Sequence, residues 1–223
     1  MIPLRDSQPS HSFPAVTVAL IAINVLIFLF EFSLDGYSRN HFVGEYGMTP
    51  ARFEAVDLIT SMFLHGGWMH LIGNMWFLWI FADNVEDVLG KGKFILFYLL
   101  SGVAAGLVHY IFNFGSPIPT VGASGAIAGV MGAYLVKFPH ARIHTLVPIF
   151  IFITTYEIPA WFMLIYWFVI QIFSGFGEMA AAHGSHAGGV AWFAHVGGFL
   201  MGIALIKVLP TRERYRHYPE YRW

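Results

Sequence analysis

The sequence predicts an all-α membrane protein, a bundle of six transmembrane helices. Of its 223 residues, 57% are hydrophobic and only 11% are charged, whereas a soluble domain carries about 25% charged residues. Apolar stretches long enough for membrane helices alternate with polar or glycine-rich segments. Lys and Arg fall almost entirely on one side of the membrane when the chain is threaded through six crossings. Lipid is therefore the expected solvent for most of the chain.

Six apolar stretches are the predicted spans, and they divide the chain into three parts. The spans are residues 15–34, 61–81, 94–112, 124–137, 161–176 and 190–209. We expect 1–14 to be a cytoplasmic N-terminal segment, 15–209 the six-helix domain, and 210–223 a basic, aromatic cytoplasmic tail lying on an anionic leaflet. The first span is too long for the apolar core of a signal peptide and lacks a small-residue cleavage site, which favours a retained anchor.

Two segments between the spans need separate interpretation. Residues 35–60 are polar but also carry aromatic side chains, which predicts short amphipathic helices in the headgroup region. Residues 143–158 are apolar but too short for a crossing, which needs about 20 residues. They are also rich in β-branched residues and interrupted by Pro148, which favours a strand over a helix. We predict that 143–158 forms a non-spanning interfacial hairpin or re-entrant segment on the cytoplasmic side.

The distribution of charge predicts the orientation and excludes some functions. With six crossings, Arg39 and Arg52 fall on one side. The other ten cations fall on the opposite side: Arg5, Lys91, Lys93, Lys137, Arg142, Lys207, Arg212, Arg214, Arg216 and Arg222. The positive-inside rule then puts both termini of this multi-pass protein on the cytoplasmic side of the cell (inner) membrane. The absence of cysteine excludes disulfides, and a net charge of −1 gives no support to nucleic-acid binding.

A serine between glycines at the start of the fourth span is the candidate nucleophile. Ser124 lies between Gly122 and Gly125, with Ala123 directly before it, at the beginning of an apolar helix pattern. A neutral serine needs an adjacent base, and His195, about one turn into the last span, is the candidate. With 143–158 not crossing, both helices run inward from the outer face and bring the two residues to one depth. A crossing at 143–158 would separate them by roughly 20 Å or more.

Small residues accompany both candidates at helical spacing. The fourth span carries Gly125, Ala128, Gly129 and Gly132, with Gly122 just before the helix, and the last span carries Gly198 and Gly202. Small residues let membrane helices approach closely, as a contact of about 3 Å between serine and histidine requires. The alternative is that these glycines serve helix packing only.

Two polar residues of the second span are candidates for stabilising an oxyanion. His70 and Asn74 are four residues apart and so share one helix face. Acyl transfer needs hydrogen-bond donors for the developing negative charge, and the backbone N–H of Ser124 at a helix N-terminus is a further one. The alternative for His70 and Asn74 is a hydrogen-bonded pair that only holds helices together.

A metal site is not predicted, and neither is any other cofactor. The chain has no His-Glu-x-x-His motif, and no carboxylate falls at ligand spacing within the spans. We expect His65 to make a structural hydrogen bond at the outer interface, and His183 and His186 to be solvated loop residues. Glu86 and Asp87 lie at the inner end of the second span, where capping a helix or binding Lys91 and Lys93 is the expected role.

Three motifs in this order resemble those of rhomboid intramembrane serine proteases. They are Gly122-Ala123-Ser124-Gly125, His70-x-x-x-Asn74, and Ala194-His195-x-Gly197-Gly198 with Gly202. The resemblance implies a six-helix rhomboid-like fold and a Ser–His dyad without a third acid. It implies Ser124 as nucleophile, His195 as general base, and His70, Asn74 and the Ser124 N–H as the oxyanion site. Its substrates would be transmembrane proteins, cleaved near the outer ends of their helices.

This chain departs from the family pattern at two places. Some members carry an aromatic residue four positions after the serine that stacks on the catalytic histidine, where this chain has Ala128. The sequence therefore leaves open what orients His195. Many members carry Trp-Arg in the first loop, where this chain has Val56-Asp57.

The leading hypothesis is an intramembrane serine protease, and two alternatives from other classes remain. The first is a catalytically silent relative that binds transmembrane helices as a chaperone or adaptor. The second is a small transporter or channel, although the chain lacks the internal repeat of many transporters. In the protease hypothesis, loops 113–123 and 177–190 admit water, and the fifth span, bordered by Pro159 and Gly175, is the candidate gate for substrate. The sequence predicts neither the natural substrate nor the oligomeric state.

Overall fold

The computed structural model describes residues 2–149, 152–181 and 191–212, which contain eight α-helices, two short 3-10 helices (Pro50–Arg52 and Ser61–Phe63) and one small sheet. The helices are α1 (Ala15–Ser33), α2 (Gly36–Tyr46), α3 (Asp57–Thr60), α4 (Trp68–Leu89), α5 (Lys91–Phe112), α6 (Ser124–Lys137), α7 (Ala160–Ala181) and α8 (Trp192–Val208). The strands are β1 (Ile2–Asp6), β2 (Arg142–Ile149) and β3 (Phe152–Pro159). The prediction of a membrane helical bundle is confirmed.

Helix α6 forms the centre of the bundle. It packs against α4, α5, α7 and α8, and its ten consecutive residues from Gly125 to Tyr134 are all buried. A helix that is apolar on every side belongs in a protein core or in a membrane, and α6, which carries no charge before Lys137, is surrounded by other helices. Ser124 is the first residue of this helix, so the candidate nucleophile lies at the N-terminal end of the central helix of the bundle.

Each of the six predicted spans contains a helix, and three of these are both long and apolar enough to cross a membrane. Those three are Ala15–Ser33, Lys91–Phe112 and Ala160–Met179, while Ser124–Lys137 and Trp192–Val208 are shorter apolar helices. The predicted end of the fifth span at residue 176 was too early, because α7 continues to Ala181. The rest of the predicted loop 177–190, with His183 and His186, lies outside the described residues, as does the tail beyond 212.

The boundaries predicted for the second span were wrong at both ends. Residues Ser61–Phe63 form a separate 3-10 turn, and α4 begins only after the Gly66-Gly67 pair. At the other end α4 continues through Glu86 and Asp87 to Leu89. Charged residues predicted to end the span are tolerated inside the helix because another part of the chain provides them with donors.

Glu86 supplies a cap for the first helix. Its Oε1 accepts a hydrogen bond from the N–H of Val16 at 3.0 Å, and its Oε2 accepts from the N–H and the hydroxyl of Thr17 at 2.8 Å. Asp87 accepts from the N–H of His11 at 2.8 Å and from the Ser12 hydroxyl. A carboxylate at a helix N-terminus satisfies N–H groups that have no partner within the helix. The predicted capping role is confirmed for Glu86, whereas Asp87 binds the segment that precedes α1 rather than the helix itself.

A hairpin forms at residues 143–158, as predicted for a segment that does not span. Strands β2 and β3 pair antiparallel with Arg142 opposite Pro159 and Ile149 opposite Phe152. No strand was expected in residues 1–14, yet β1 adds to β2 as a third antiparallel strand. The fold is therefore a helical bundle with a small sheet rather than one of helices alone.

Side chains of the bundle hold β1 in place. The Trp76 indole N–H donates to the carbonyl of Pro3 at 2.6 Å, and the Tyr134 hydroxyl donates to the Asp6 carboxylate at 2.5 Å. Burial raises the pKa of the Asp6 carboxyl, and the hydrogen bond from Tyr134 opposes this rise. The partners of β1 lie far along the chain, which is why its pattern was not recognisable in a local stretch of sequence.

The segment between the first two spans contains the short helices that its composition predicted. Asp35 caps α2 by accepting from the N–H groups of Tyr37 and Ser38 at 2.9 and 3.1 Å. Met48 and Thr120 exchange two backbone hydrogen bonds of 3.0 and 2.9 Å. This bridge ties the segment to the loop that leads directly into Ser124.

Candidate active site

Ser124 and His195 lie in hydrogen-bonding contact. The Ser124 Oγ is 2.7 Å from Nε2 of His195. Ser124 is the first residue of α6 and is half-buried, whereas His195 lies in the first turn of α8 and is only 8% exposed. The contact joins a serine hydroxyl to a ring nitrogen that can accept its proton, which is the arrangement that activates a serine nucleophile.

The backbone before Ser124 takes a conformation that glycine favours. Gly122 has a φ of +127°, and its N–H donates to the carbonyl of Ser61 at 2.8 Å. A Cβ at Gly122 would lie 2.7 Å from Nε2 of His70 and 3.5 Å from Nδ2 of Asn74. Glycine at this position therefore serves both the turn and the close approach of α4.

Glycines bring α6 and α8 into backbone contact. A Cβ added at Gly198 would lie 1.9 Å from the carbonyl oxygen of Gly125, and one at Gly202 would lie 1.9 Å from that of Gly129. One at Gly132 would lie 2.3 Å from the carbonyl oxygen of Phe199. Gly198 contacts Gly125, and four residues further along both helices Gly202 contacts Gly129. The two helices therefore run parallel, as the matched depth of Ser124 and His195 requires.

Two of the predicted packing glycines face α5 more closely than α8. A Cβ at Gly125 would lie 2.5 Å from the Cβ of Ala105, and one at Gly129 would lie 2.5 Å from the Cβ of Ser101. The small residues of α6 thus admit helices on two sides. Ala128 is fully buried, so this position supplies no aromatic ring to stack on the imidazole.

The candidate oxyanion residues lie on the face of α4 that looks toward Gly122. The Asn74 amide nitrogen donates to Nε2 of His65 at 3.0 Å, which leaves its second N–H for another acceptor. The His65 and His70 rings are 5.1 Å apart. His65 is fully buried. It makes a structural hydrogen bond, as predicted, and the partner is the side chain of Asn74.

A residue that the sequence analysis did not consider touches the other side of the imidazole. Gln171 of α7 places its Oε1 2.7 Å from Nδ1 of His195. The rings of Trp167 and Trp192 lie 5.7 and 6.4 Å from the His195 ring. The sequence did contain a signal for it, because Gln171 is the one amide side chain of a largely apolar span, and polar residues inside membrane helices are often functional.

A small cavity of about 30 Å³ adjoins Ser124 on the side of α5. Polar groups line it at Ser61, His109 and Thr120, and the Thr120 hydroxyl is 2.8 Å from Nε2 of His109. This volume is sufficient for a water molecule, which needs about 10–15 Å³ and two or more polar partners. Among the described residues, no group of three His, Asp or Glu side chains has the spacing of a metal site.

Comparison with known proteins agrees with this architecture. A family model described as "Rhomboid domain" matches residues 52–212. "Rhomboid protease GluP" of Bacillus subtilis (strain 168) is 36% identical over 127 residues, which cover 55% of this chain and 24% of that protein. "Putative rhomboid protease YdcA" of the same organism is 37% identical over 129 residues, covering 55% of this chain and 62% of that protein.

A third relative has a name of a different kind. "Presenilin-associated rhomboid-like protein, mitochondrial" of Mus musculus is 35% identical over 98 residues, which cover 43% of this chain and 26% of that protein. The matched region spans less than two thirds of the length of each of these three relatives. The domain match, by contrast, extends over most of the chain, from the segment before α3 to the end of α8. This chain therefore belongs to the rhomboid family of multi-pass membrane proteins.

Proposed function

We propose that this protein is an intramembrane serine protease that hydrolyses peptide bonds of transmembrane proteins. The observation that carries the proposal is the 2.7 Å contact between the Ser124 Oγ and Nε2 of His195. It is supported by the position of the buried His195 and the half-buried Ser124 at the junction of two parallel helices, and by two protease-named relatives in the same family.

In the proposed reaction, the Ser124 hydroxyl attacks the carbonyl carbon of the substrate while Nε2 of His195 takes its proton. The resulting tetrahedral intermediate collapses, and the protonated imidazole passes the proton to the departing amine. A water molecule then attacks the acyl-enzyme with His195 again as base, which releases the carboxylate product and restores Ser124. The cavity beside Ser124 supports this second step, because it is polar and large enough for water.

The oxyanion of the intermediate would receive hydrogen bonds from three donors. These are the backbone N–H of Ser124, the Asn74 amide and the His70 ring. Loss of one such donor costs about 10²–10³-fold in kcat in a soluble serine protease. The hydrogen bond from Asn74 to His65 supports this role, since it restrains the amide while leaving one N–H free.

We further propose that the active site opens toward the outer side of the cell (inner) membrane, with both termini in the cytoplasm. The excess of Lys and Arg on the side that carries both termini supports this orientation. A substrate would be cut near the outer end of its helix. Helix α7 is the proposed gate, since many of its side chains, such as Phe162 and Phe173, face away from the bundle.

The proposal is tested with the full-length protein reconstituted in lipid vesicles together with a reporter transmembrane substrate. Ser124→Ala removes the nucleophile, and we expect cleavage to fall by about 10⁴-fold or more. Ser33→Ala is the matched control, because Ser33 is exposed at the end of α1 and its hydroxyl donates to the carbonyl of Phe30 in its own helix. Undiminished cleavage by Ser124→Ala would refute the assignment.

A second candidate is a catalytically silent relative that binds transmembrane helices as a chaperone or adaptor. The observation that keeps this candidate is a family member named for an association rather than for proteolysis. Labelling with a fluorophosphonate, which reacts with activated serines, discriminates between the two. A protease should be labelled at Ser124, and the label should disappear with Ser124→Ala, whereas a silent protein should not be labelled at all.

A further inference from the structure

Gln171 is a buried amide in a position that packing alone does not explain. It lies in the middle of α7 and is only 4% exposed. Burying an amide away from water is costly unless its polar atoms find partners, and an apolar residue of the same size would pack equally well. Both polar atoms of Gln171 have partners: Nε2 donates to the carbonyl of Trp167 at 3.2 Å, and Oε1 lies 2.7 Å from Nδ1 of His195.

These two contacts determine which way the amide faces. The Trp167 carbonyl only accepts hydrogen bonds, so the amide atom beside it must be the NH₂ group. The atom facing His195 is then the carbonyl oxygen, which also only accepts. Nδ1 of His195 must therefore carry the proton. In a neutral imidazole this leaves Nε2 unprotonated, and Nε2 is the nitrogen that faces the Ser124 hydroxyl.

We propose that Gln171 is a positioning residue that holds His195 in the tautomer required of a base, so that the base is competent only while α7 is docked on α8. The inference rests on the proposed protease function and adds a third participant to the Ser124–His195 pair. It also supplies the orienting contact that an aromatic residue at position 128 would otherwise provide.

The same face of α7 that bears Gln171 also docks the helix. Trp167, Gln171, Gly175 and Glu178 follow one another at intervals of four, four and three residues, which puts them on one side of a helix. The Trp167 ring lies 6.1 Å from that of Phe199. Glu178 accepts a hydrogen bond from the Trp192 indole at 2.7 Å.

Gly175 completes this docking face. A Cβ there would lie 3.1 Å from Phe193, so α7 and α8 are in close contact along their shared length. Because docking and orientation use one surface, moving α7 away from α8 would also remove the acceptor from Nδ1. A substrate that enters beside α7 would be cut only after the helix has returned.

The test compares two substitutions at Gln171 in the reconstituted full-length protein. Gln171→Met keeps the length of the side chain but removes the acceptor, while Gln171→Glu keeps an acceptor and adds a charge. We expect Gln171→Met to lower kcat by about 10–100-fold with KM changed less than twofold, because a mispositioned tautomer impairs the chemical step. Ile170→Met, the neighbouring residue on the lipid side of α7, is the matched control and should behave as wild type.

The pH dependence of the rate separates an orienting role from a packing role. A carboxylate at position 171 stabilises the protonated imidazole, so the acid limb of the kcat/KM profile of Gln171→Glu should move to higher pH while activity persists above it. Among the described residues, His70 of α4 and His109 of α5 also interact electrostatically with His195, and Glu178 lies on α7 near Trp192. All three are unchanged in both variants.

Three results would bear on the proposal in different ways. Wild-type kcat and an unshifted profile for Gln171→Met would overturn it. Equal losses in both variants, with an acid limb that does not move in Gln171→Glu, would also overturn it and make Gln171 a packing residue. If the proposed protease function itself were wrong, Ser124→Ala would leave cleavage of the reporter substrate unchanged, which distinguishes that outcome from a failure of the Gln171 proposal.

Discussion

His195 lies between two helix interfaces of different construction. On one side, α6 and α8 meet through backbone atoms, with the carbonyls of Gly125 and Gly129 against Gly198 and Gly202. On the other side, α7 and α8 meet through side chains. These include the stacked rings of Phe168 and Phe199, whose centroids are 4.5 Å apart, and the hydrogen bond from His195 to Gln171.

The difference shows how one site can keep the distance between Ser124 and His195 constant and still allow α7 to move away. A glycine interface leaves no side chain to rotate, so the separation of Ser124 from His195 follows from two rigid backbones. Aromatic rings and an amide can separate and return without deforming either helix. The contact that must stay constant is made by backbone packing, and the contact next to the proposed gate is made by side chains.

The largest effect is expected from placing a methyl group in the glycine interface. Gly202→Ala would bring a Cβ to 1.9 Å from the Gly129 carbonyl oxygen, and overpacking against backbone costs about 3 kcal/mol or more because no side chain can yield. We expect a lower thermal unfolding temperature and loss of both cleavage and fluorophosphonate labelling. The control is Gly73→Ala in α4, where a Cβ meets nothing within 4 Å. Wild-type labelling by Gly202→Ala would contradict a rigid interface.

An intermediate effect is expected from the aromatic interface. Phe168→Ala removes the stack on Phe199, and truncating this half-buried ring should cost about 2 kcal/mol. Undocking of α7 should slow labelling of Ser124 by a small fluorophosphonate, since the acceptor on Nδ1 is lost for part of the time. Phe173→Ala is the same change at a 73% exposed position of the same helix. Equal labelling rates in the two variants would separate docking from the competence of the base.

The smallest effect is expected at Gly175. A Cβ there would lie 3.1 Å from the Phe193 ring, and a flexible contact of this kind should cost about 1 kcal/mol or less. Gly175→Ala should therefore fold normally and lower the cleavage rate only a few fold. Gly177→Ala, two residues along α7, meets nothing within 4 Å and is the control. A loss as severe as that expected for Gly202→Ala would show that both interfaces are equally rigid.

Much of the proposed site was predictable because its signals are local. A serine at the first position of an apolar helix, glycines at spacings of three and four, and a His–Asn pair on one face are all readable in a few turns of sequence. The identity of the hairpin at 143–158 was predictable for the same reason, since its length and β-branched residues disfavour a spanning helix.

Other features depended on partners distant in the chain. The acids Glu86 and Asp87 continue α4 instead of ending it because N–H groups of residues 11–17 bind them. The first strand exists because β2 offers it an edge. The composition of a short stretch of sequence does not indicate such contacts, because they depend on residues elsewhere in the chain.

By itself, the sequence determined the membrane environment, the helical segments, the family, and the pair of residues proposed for catalysis. Composition and helical periodicity are properties of short stretches, so these conclusions needed no coordinates. Only the tertiary structure decided what faces Nδ1 of His195, because that depends on how α7 is rotated against α8. The answer is Gln171, a residue whose role arises from the packing of two helices rather than from any local motif.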